Sequence, residues 1–320
     1  MLAEANVPPR RACSSLRRGR RPPADDAELP GEPADLCYAL ATGDLEPLQV
    51  ALHRPDAHVR TTRSGCMFLR RTTSCDLGQP HRGTTRSSVF AAFAPEIAHA
   101  ALRRGIRRRM APMLGNDRRR IELAFSLLFS LPGTPMMQYG DEIGIGRRPV
   151  AAGARLARGP RMQWSSQRHG RILQVRAGGG ADHRRRTSMA TAACNVADQR
   201  RDPSSLLNWC ERQHQRRGRS CRKSAGADHT RFSRPTRRRC SALALCVRNT
   251  ALVTLHNFAD RPATVQFDGV GTDDGGVLCD FTDEDHSRAG ESGKHRITVG
   301  PAIHKWYRVG GPDTVLKRAY

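Results

Sequence analysis

From Asn116 the chain reads NDRRRIELAFSLLFSLPG, with Ile121, Ala124, Phe125, Leu128 and Phe129 near a 3.6-residue period. An Asn or Asp cap precedes them and Pro132-Gly133 follows, so the pattern predicts a buried amphipathic helix. Thr134 to Tyr139 (TPMMQY) is a short apolar run bounded by glycines, which predicts a buried parallel strand. Helix, turn and buried strand in that order is the rhythm of an α/β fold. A further helix is predicted to open at Asp202-Pro203, with Asp as N-cap and Pro at the first helical position, and to run through Leu206, Leu207 and Trp209. Residues 251 to 268 read as two strands joined by a polar Ala-Asp-Arg-Pro turn, and short strands follow from His295 and Ile303. The tail is thus expected to be a small antiparallel β domain, with the division falling at 1–245 and 246–320.

Between these pieces lie stretches with no period: Arg10 to Glu32, Arg71 to Ser88, Arg147 to Arg161, Ser165 to Cys194 and Arg212 to Cys240. They are rich in Arg, Gly, Pro and Ser, and such segments bury too little apolar surface to offset ordering entropy, so disorder is expected there. Charge follows the same division. The chain carries 54 Lys and Arg against 30 Asp and Glu, a net charge of +24, and only four of the cations are lysines. Residues 161–240 hold +15 of that charge and residues 241–320 hold −1. Clustered arginines attract phosphate, so nonspecific adhesion to nucleic acid is expected. A dedicated binder would add stacking aromatics, a helical basic face or a known module, and Arg184 to Arg186 and Arg237 to Arg239 have none of these around them.

No run of about 18 apolar residues occurs, which excludes a membrane-spanning helix. Collagen, coiled-coil and compact disulfide-scaffold patterns are absent as well. The ten cysteines contain no C-x-x-C pair and no His at finger spacing, so they read as scattered free thiols rather than a metal site. No apolar signal region follows the N-terminal charges, and cytoplasmic residence is the expectation.

The orderly pieces carry a resemblance. LAEANVPP from Leu2, the run from Gly105 to Gly146 that ends PGTPMMQYGDEIGIG, MQW at Met162, NVADQRRDPSSLLNW at Asn195 and TLHNFADRP at Thr254 closely resemble the trehalose synthases. These are maltose α-D-glucosyltransferases of the α-amylase superfamily, glycoside hydrolase family thirteen. The resemblance covers about half the chain in patches. It implies the C-terminal half of a (β/α)8 TIM barrel followed by a small antiparallel β-sandwich. It also implies maltose, trehalose or another α-glucoside as substrate, with an α-amylase or α-glucosidase hydrolase as the sister reading. No cofactor is implied, and the calcium of some family members belongs to a part of the fold absent from this sequence.

Retaining cleavage of a glucosidic bond needs an acid/base carboxyl and a nucleophilic carboxylate about 5 Å apart. By resemblance Glu4 is the family's general acid/base, and the nucleophile's strand is expected upstream of Met1. The third acid should follow Phe68-Leu69-Arg70, where the family has Arg-Asn-His-Asp-Glu, but the chain reads Arg70-Arg71-Thr72-Thr73-Ser74. Codons AAC-CAC-GAC read one base late begin ACC-ACG, which is Thr-Thr. Out-of-phase reading of a GC-rich gene yields the Arg, Ala, Gly, Pro and Ser that fill the aperiodic stretches, so a truncated, frame-slipped enzyme without activity of its own is expected. Arg70, Asp141 and Glu142 are candidates for the substrate rim; for the two adjacent acids, structural or rim use is expected over an acid/base role, since neighbours in a chain rarely converge on one atom. His256 is expected to be satisfied or exposed, not a ligand. Trp164 and Trp209 are expected to pack rather than to stack on sugars.

Overall fold

In a computed structural model the chain is described at residues 2–3, 26–28, 32–52, 64–69, 75–76, 83–96, 100–101, 105–106, 108–131, 134–146, 162–166, 194–220, 229–233, 238–247, 250–268, 277–281, 285–290 and 293–309. The aperiodic stretches lie largely outside these residues, as do Glu4, Arg70 and Thr73.

The elements run in chain order as β1 (Leu2–Ala3), β2 (Asp26–Glu28), α1 (Glu32–Thr42), α2 (Glu46–Leu52), β3 (Ser64–Phe68), β4 (Cys75–Asp76), α3 (Gly83–Phe93), β5 (Ala100–Ala101), β6 (Gly105–Ile106), α4 (Met110–Met113) and α5 (Arg118–Ser130). There follow β7 (Thr134–Met136), a 3-10 turn at Asp141–Ile143, α6 (Val196–Arg201), α7 (Leu206–Ser220), β8 (His229–Ser233), β9 (Cys240–Val247), β10 (Thr250–Asn257) and β11 (Ala263–Asp268). The chain closes on β12 (Val277–Asp280), β13 (His286–Arg288), β14 (Lys294–Val299) and β15 (His304–Val309).

Two compact units result. The first comprises 1–69, 123–136 and 215–320, the second 70–122 and 137–214. In the first, β1, β2, β3 and β7 form a four-stranded sheet in which every pairing is parallel. The spatial order of the four strands is their order in sequence; α1 and α2 lie between β2 and β3, and α3, α4 and α5 between β3 and β7, long connections of the kind parallel pairing requires. The strand expected over 134–139 is present but ends at Met136, and its residues are half-buried or exposed rather than fully buried.

Two antiparallel sheets complete this unit, one of order β13-β12-β15-β10-β9-β8 and one pairing β11 with β14. Alternate residues Ala251, Val253 and Leu255 of β10 meet Val265, Phe267, Ile297 and Val299 of the smaller sheet in one apolar core. The expected turn at 259–262 joins β10 to β11, and Asn257 organises it. Its Nδ2 donates to the carbonyls of Arg261, Val299 and Gly300, and its Oδ1 accepts from the Ala259 amide. The larger sheet starts upstream of residue 246, because β8 and β9 pair onto β10 in sequence order.

The helix expected after Asn116 is α5, capped by Asp117 Oδ1, which accepts from the amides of Arg119 and Arg120. Its period had implied one apolar face. Instead every residue from Leu123 to Leu131 is buried, Ser126 and Ser130 included. The reason is that the larger sheet covers the serine side: Ser126 Oγ bonds His256 Nε2 at 2.9 Å and accepts from Trp306 Nε1 at 2.7 Å. At the other end of α5 the buried Arg217 donates to the carbonyls of Phe129 and Leu131. Those carbonyls have no partner within the helix, and a cation there also suits the helix dipole.

In the second unit β4, β6 and β5 make a small antiparallel sheet. α7 opens at Leu206 rather than at Pro203. Asp202 Oδ1 is occupied by the amide and hydroxyl of Ser204, and Ser205 Oγ accepts from the Asn208 amide in the capping role. Cys194, Cys210, Cys240 and Cys279 are free thiols, whereas Cys37 is disulfide-bonded, against the reading of the cysteines as scattered thiols.

Candidate functional site

Within the second unit, the loop after β7 gathers the segments that the resemblance picked out. Gly140 and Gly144 both adopt left-handed backbone, with φ of 86° and 72°, and enclose the Asp141–Ile143 turn. Glycine is required at 140 for a second reason. A Cβ there would lie 2.6 Å from Ile145 Cδ1 and 3.1 Å from Arg109 Nη2.

Arg109, the residue before α4, holds this loop. Its Nε lies 3.0 Å from Asp141 Oδ1, with only 3% and 4% of the two side chains exposed. The N–H is not aimed along that line, so the interaction is an ion pair rather than a directed hydrogen bond. The same guanidinium donates to the Tyr139 carbonyl and lies over the Tyr139 ring, 5.6 Å from its centroid. Asp141 is therefore a buried counter-ion. Its neighbour Glu142 is partly exposed. Burial pushes the Cys210 thiol up to about 12, and the carboxylates of Glu142, Glu122 and Asp141 act in the same direction. Cys210 is thus a packed thiol, not a nucleophile.

The MQW and NVADQRRDPSSLLNW segments assemble on the same loop. The amides of Val196 and Ala197 donate to the carbonyls of Gln163 and Trp164. Asn195 caps α6 by accepting from the Asp198 amide, and Gln199 Nε2 donates to the Ile143 carbonyl at 2.9 Å. Gln199 Oε1 in turn accepts from the Leu207 amide, so one side chain ties the loop to both α6 and α7. Ile143, Ile145 and Val196 form a small apolar core, with Met162 and Leu207 against it. Trp209 packs as expected, but Trp164 is 51% exposed, as is Tyr139.

Of the four sequence candidates, the structure thus describes Asp141 and Glu142, while Glu4 and Arg70 lie outside the described residues. In sequence Glu4 follows directly on β1, and Arg70 follows β3 and Leu69. Arg109, Gln199 and Arg217 were missed in the sequence. An arginine in the run 107–109 carries no local mark of the one that turns inward. His256 was expected satisfied or exposed. It is fully buried in the first unit, its Nε2 bonded to Ser126 and its Nδ1 to Ser241. Among the described residues no group of three His, Cys, Asp or Glu side chains could hold a metal ion, and no helix is long and apolar enough to cross a membrane.

No protein-family model matches the chain. Among solved structures it is similar to an α-amylase from H. orenii, with a TM-score of 0.60 at 16% identity over 97% of this chain and 53% of that one. It is also similar to AmyP solved in complex with maltotriose, with a TM-score of 0.56 at 13% identity over 98% of this chain and 56% of that one. At such identity the likeness shows the fold alone, which is similar to that of these α-amylases. In sequence the chain is similar to trehalose synthases over about half its length. It is 33% identical to the trehalose synthase of Thermus thermophilus over 183 residues, 54% of this chain and 18% of the relative. It is 42% identical to the trehalose synthase/amylase of Mycolicibacterium smegmatis over 106 residues, 33% of this chain and 18% of that relative. The match thus spans about a fifth of the length of these curated relatives.

Proposed function

We propose that the chain is the barrel-and-sandwich fragment of an enzyme that interconverts maltose and trehalose. In this reading β1, β2, β3 and β7 are the last four strands of a (β/α)8 barrel, and the two antiparallel sheets are the β-sandwich behind it. The observation that carries it is the all-parallel, sequence-ordered sheet whose β7 leads into the YGDEIG loop, in a chain whose sequence matches trehalose synthases. On such a barrel the chemistry sits on loops at the C-terminal ends of strands. Glu4, Arg70 and the 139–145 loop all follow strands of this sheet.

In a complete site Glu4 protonates the glycosidic oxygen, which departs with the leaving glucose, and a carboxylate takes the glucosyl group covalently. The released glucose then rotates; its anomeric hydroxyl gives its proton to the ionised Glu4 and attacks the same carbon, displacing the carboxylate, which gives trehalose from maltose with retention. This chain has Thr73 where the third acid belongs, and a hydroxyl supplies no charge to an oxocarbenium-like transition state. The fragment is therefore silent on its own. Arg109 and Asp141 hold the rim loop and take no part in proton transfer.

Incubation of the purified chain with excess maltose, followed by product analysis and calorimetric titration, tests this. Saturable maltose binding without product is expected. Trehalose formed at an enzymatic rate would overturn the silence, glucose alone would favour the hydrolase reading, and absence of binding would remove α-glucosides as ligands.

A further inference from the structure

The polar group that joins α5 to the larger sheet lies entirely within the first unit and is used by no step of the proposed chemistry. It consists of Ser241 on β9, His256 on β10, Trp306 on β15 and Ser126 on α5, all fully buried or nearly so. The bonds are Ser241 Oγ to His256 Nδ1 at 3.2 Å, His256 Nε2 to Ser126 Oγ at 2.9 Å, and Trp306 Nε1 donating to Ser126 Oγ at 2.7 Å. A hydroxyl can donate or accept, so either neutral tautomer of the imidazole is satisfied.

A proton added here is disfavoured on balance. Burial is complete, and no carboxylate faces the ring among the described residues. The groups that face it from α5 and β9 are the two serine hydroxyls and the Ser126 backbone, whose hydrogen bond favours the protonated ring but is outweighed by burial. From β15 it is His304, its cross-strand partner, which adds a like charge when protonated. His304 is itself disfavoured as a cation by burial and then by Arg216 of α7, with Asp280 of β12 opposing. Relief comes only if the sheet face parts from α5 and the ring reaches water.

We propose that His256 is a proton-sensitive latch, which holds the six-stranded sheet onto α5 while neutral and releases it on acidification. Burial first, and the field of His304 second, press His256 down to about 3 from its ordinary 6.5. An opened state with the ordinary value binds the proton that the closed state refuses. By linkage, acidification from about pH 7.5 to about pH 4.5 raises the opened population roughly 100-fold. The dependence has the sign of a depressed histidine: the closed form is fully favoured above the ordinary value and loses ground steadily below it.

Hydrogen exchange of the full chain, corrected for the intrinsic effect of pH on exchange, tests the latch. Peptides covering 123–131 and 251–257 should lose roughly 100-fold in protection between those pH values in the native chain and within threefold nothing in His256→Gln, whose amide is never charged. An equal loss in both chains, or none in the native one, overturns the proposal. If His256→Gln does not fold, histidine C2-hydrogen exchange on the native chain decides. Titration of His256 near its ordinary value while 123–131 stays protected sinks the latch, and titration that coincides with loss of that protection supports it.

Discussion

Asp141→Asn separates a buried counter-ion from a site acid. The substitution keeps size and shape but removes the charge opposite Arg109, whose side chain is almost wholly buried 3.0 Å away. A guanidinium left in the interior without its counter-charge costs about 3–5 kcal/mol. That corresponds to roughly 150- to 4,000-fold in a local opening equilibrium, since about 1.4 kcal/mol is tenfold. The loop supplies its own reporters. The amides of Asp141, Gly144 and Ile145 donate to the carbonyls of Gln138, Asp141 and Gly140. Their exchange should accelerate by that factor in Asp141→Asn, up to the ceiling set by unfolding of the whole unit. The double variant Arg109→Met/Asp141→Leu removes both charges and should recover most of the protection, because an apolar pair of similar volume replaces a buried ion pair at little or no loss. Exchange in Asp141→Asn within tenfold of the native chain would refute the counter-ion assignment, as would a double variant no better than the single one.

Gly140→Ala should cost about 1–2 kcal/mol for left-handed backbone and a further 1–3 kcal/mol, roughly, for the overlap with Ile145, measured by urea denaturation; a neutral result contradicts the loop geometry. Asn257→Ala strips four hydrogen bonds from a buried turn and should lower stability by about 2–4 kcal/mol, and Asn257→Asp, which keeps only the acceptor, should recover little of it. Burial pushes the Asp285 carboxyl up, but hydrogen bonds from Lys305 and Tyr307 outweigh it and leave the value below the ordinary 3.8. Its contribution is therefore present above the ordinary value and lost as pH falls through the lowered one, so the difference in melting temperature between the native chain and Asp285→Asn should shrink below about pH 4. A difference that grows on acidification would show the opposite shift. The nucleotide sequence across Arg70 to Asp76 should encode Asn-His-Asp one base out of phase. Ordinary codon usage in the present phase through 165–194 and 212–240 would contradict this.

Much of the arrangement was legible in the residues themselves. The period of Ile121, Ala124, Phe125, Leu128 and Phe129 and the cap at Asp117 marked α5, and the alternating tail marked the antiparallel strands. The fixed motifs by themselves resemble the trehalose synthases. Less legible were lengths and starts. β7 stops at Met136, and α7 starts at Leu206 because Asp202 spends its carboxylate on Ser204 instead of capping a helix.

The site differed for a deeper reason. Periodicity reports which face of an element is driven out of water, and it is silent on what arrives to cover the other face. The period of α5 marks Ile121, Ala124, Phe125, Leu128 and Phe129 and says nothing of Ser126, which His256 and Trp306 reach from 130 and 180 residues away. Arg109 and Arg217 look like any other arginine in a chain so rich in them. Only the tertiary structure sets one against Asp141 and the other on the final carbonyls of α5, because a charge enters the interior only where its partner has been brought into place. The sequence by itself determined the elements and the family they resemble. Which polar groups became the joints between those elements was decided by packing between segments far apart in the chain.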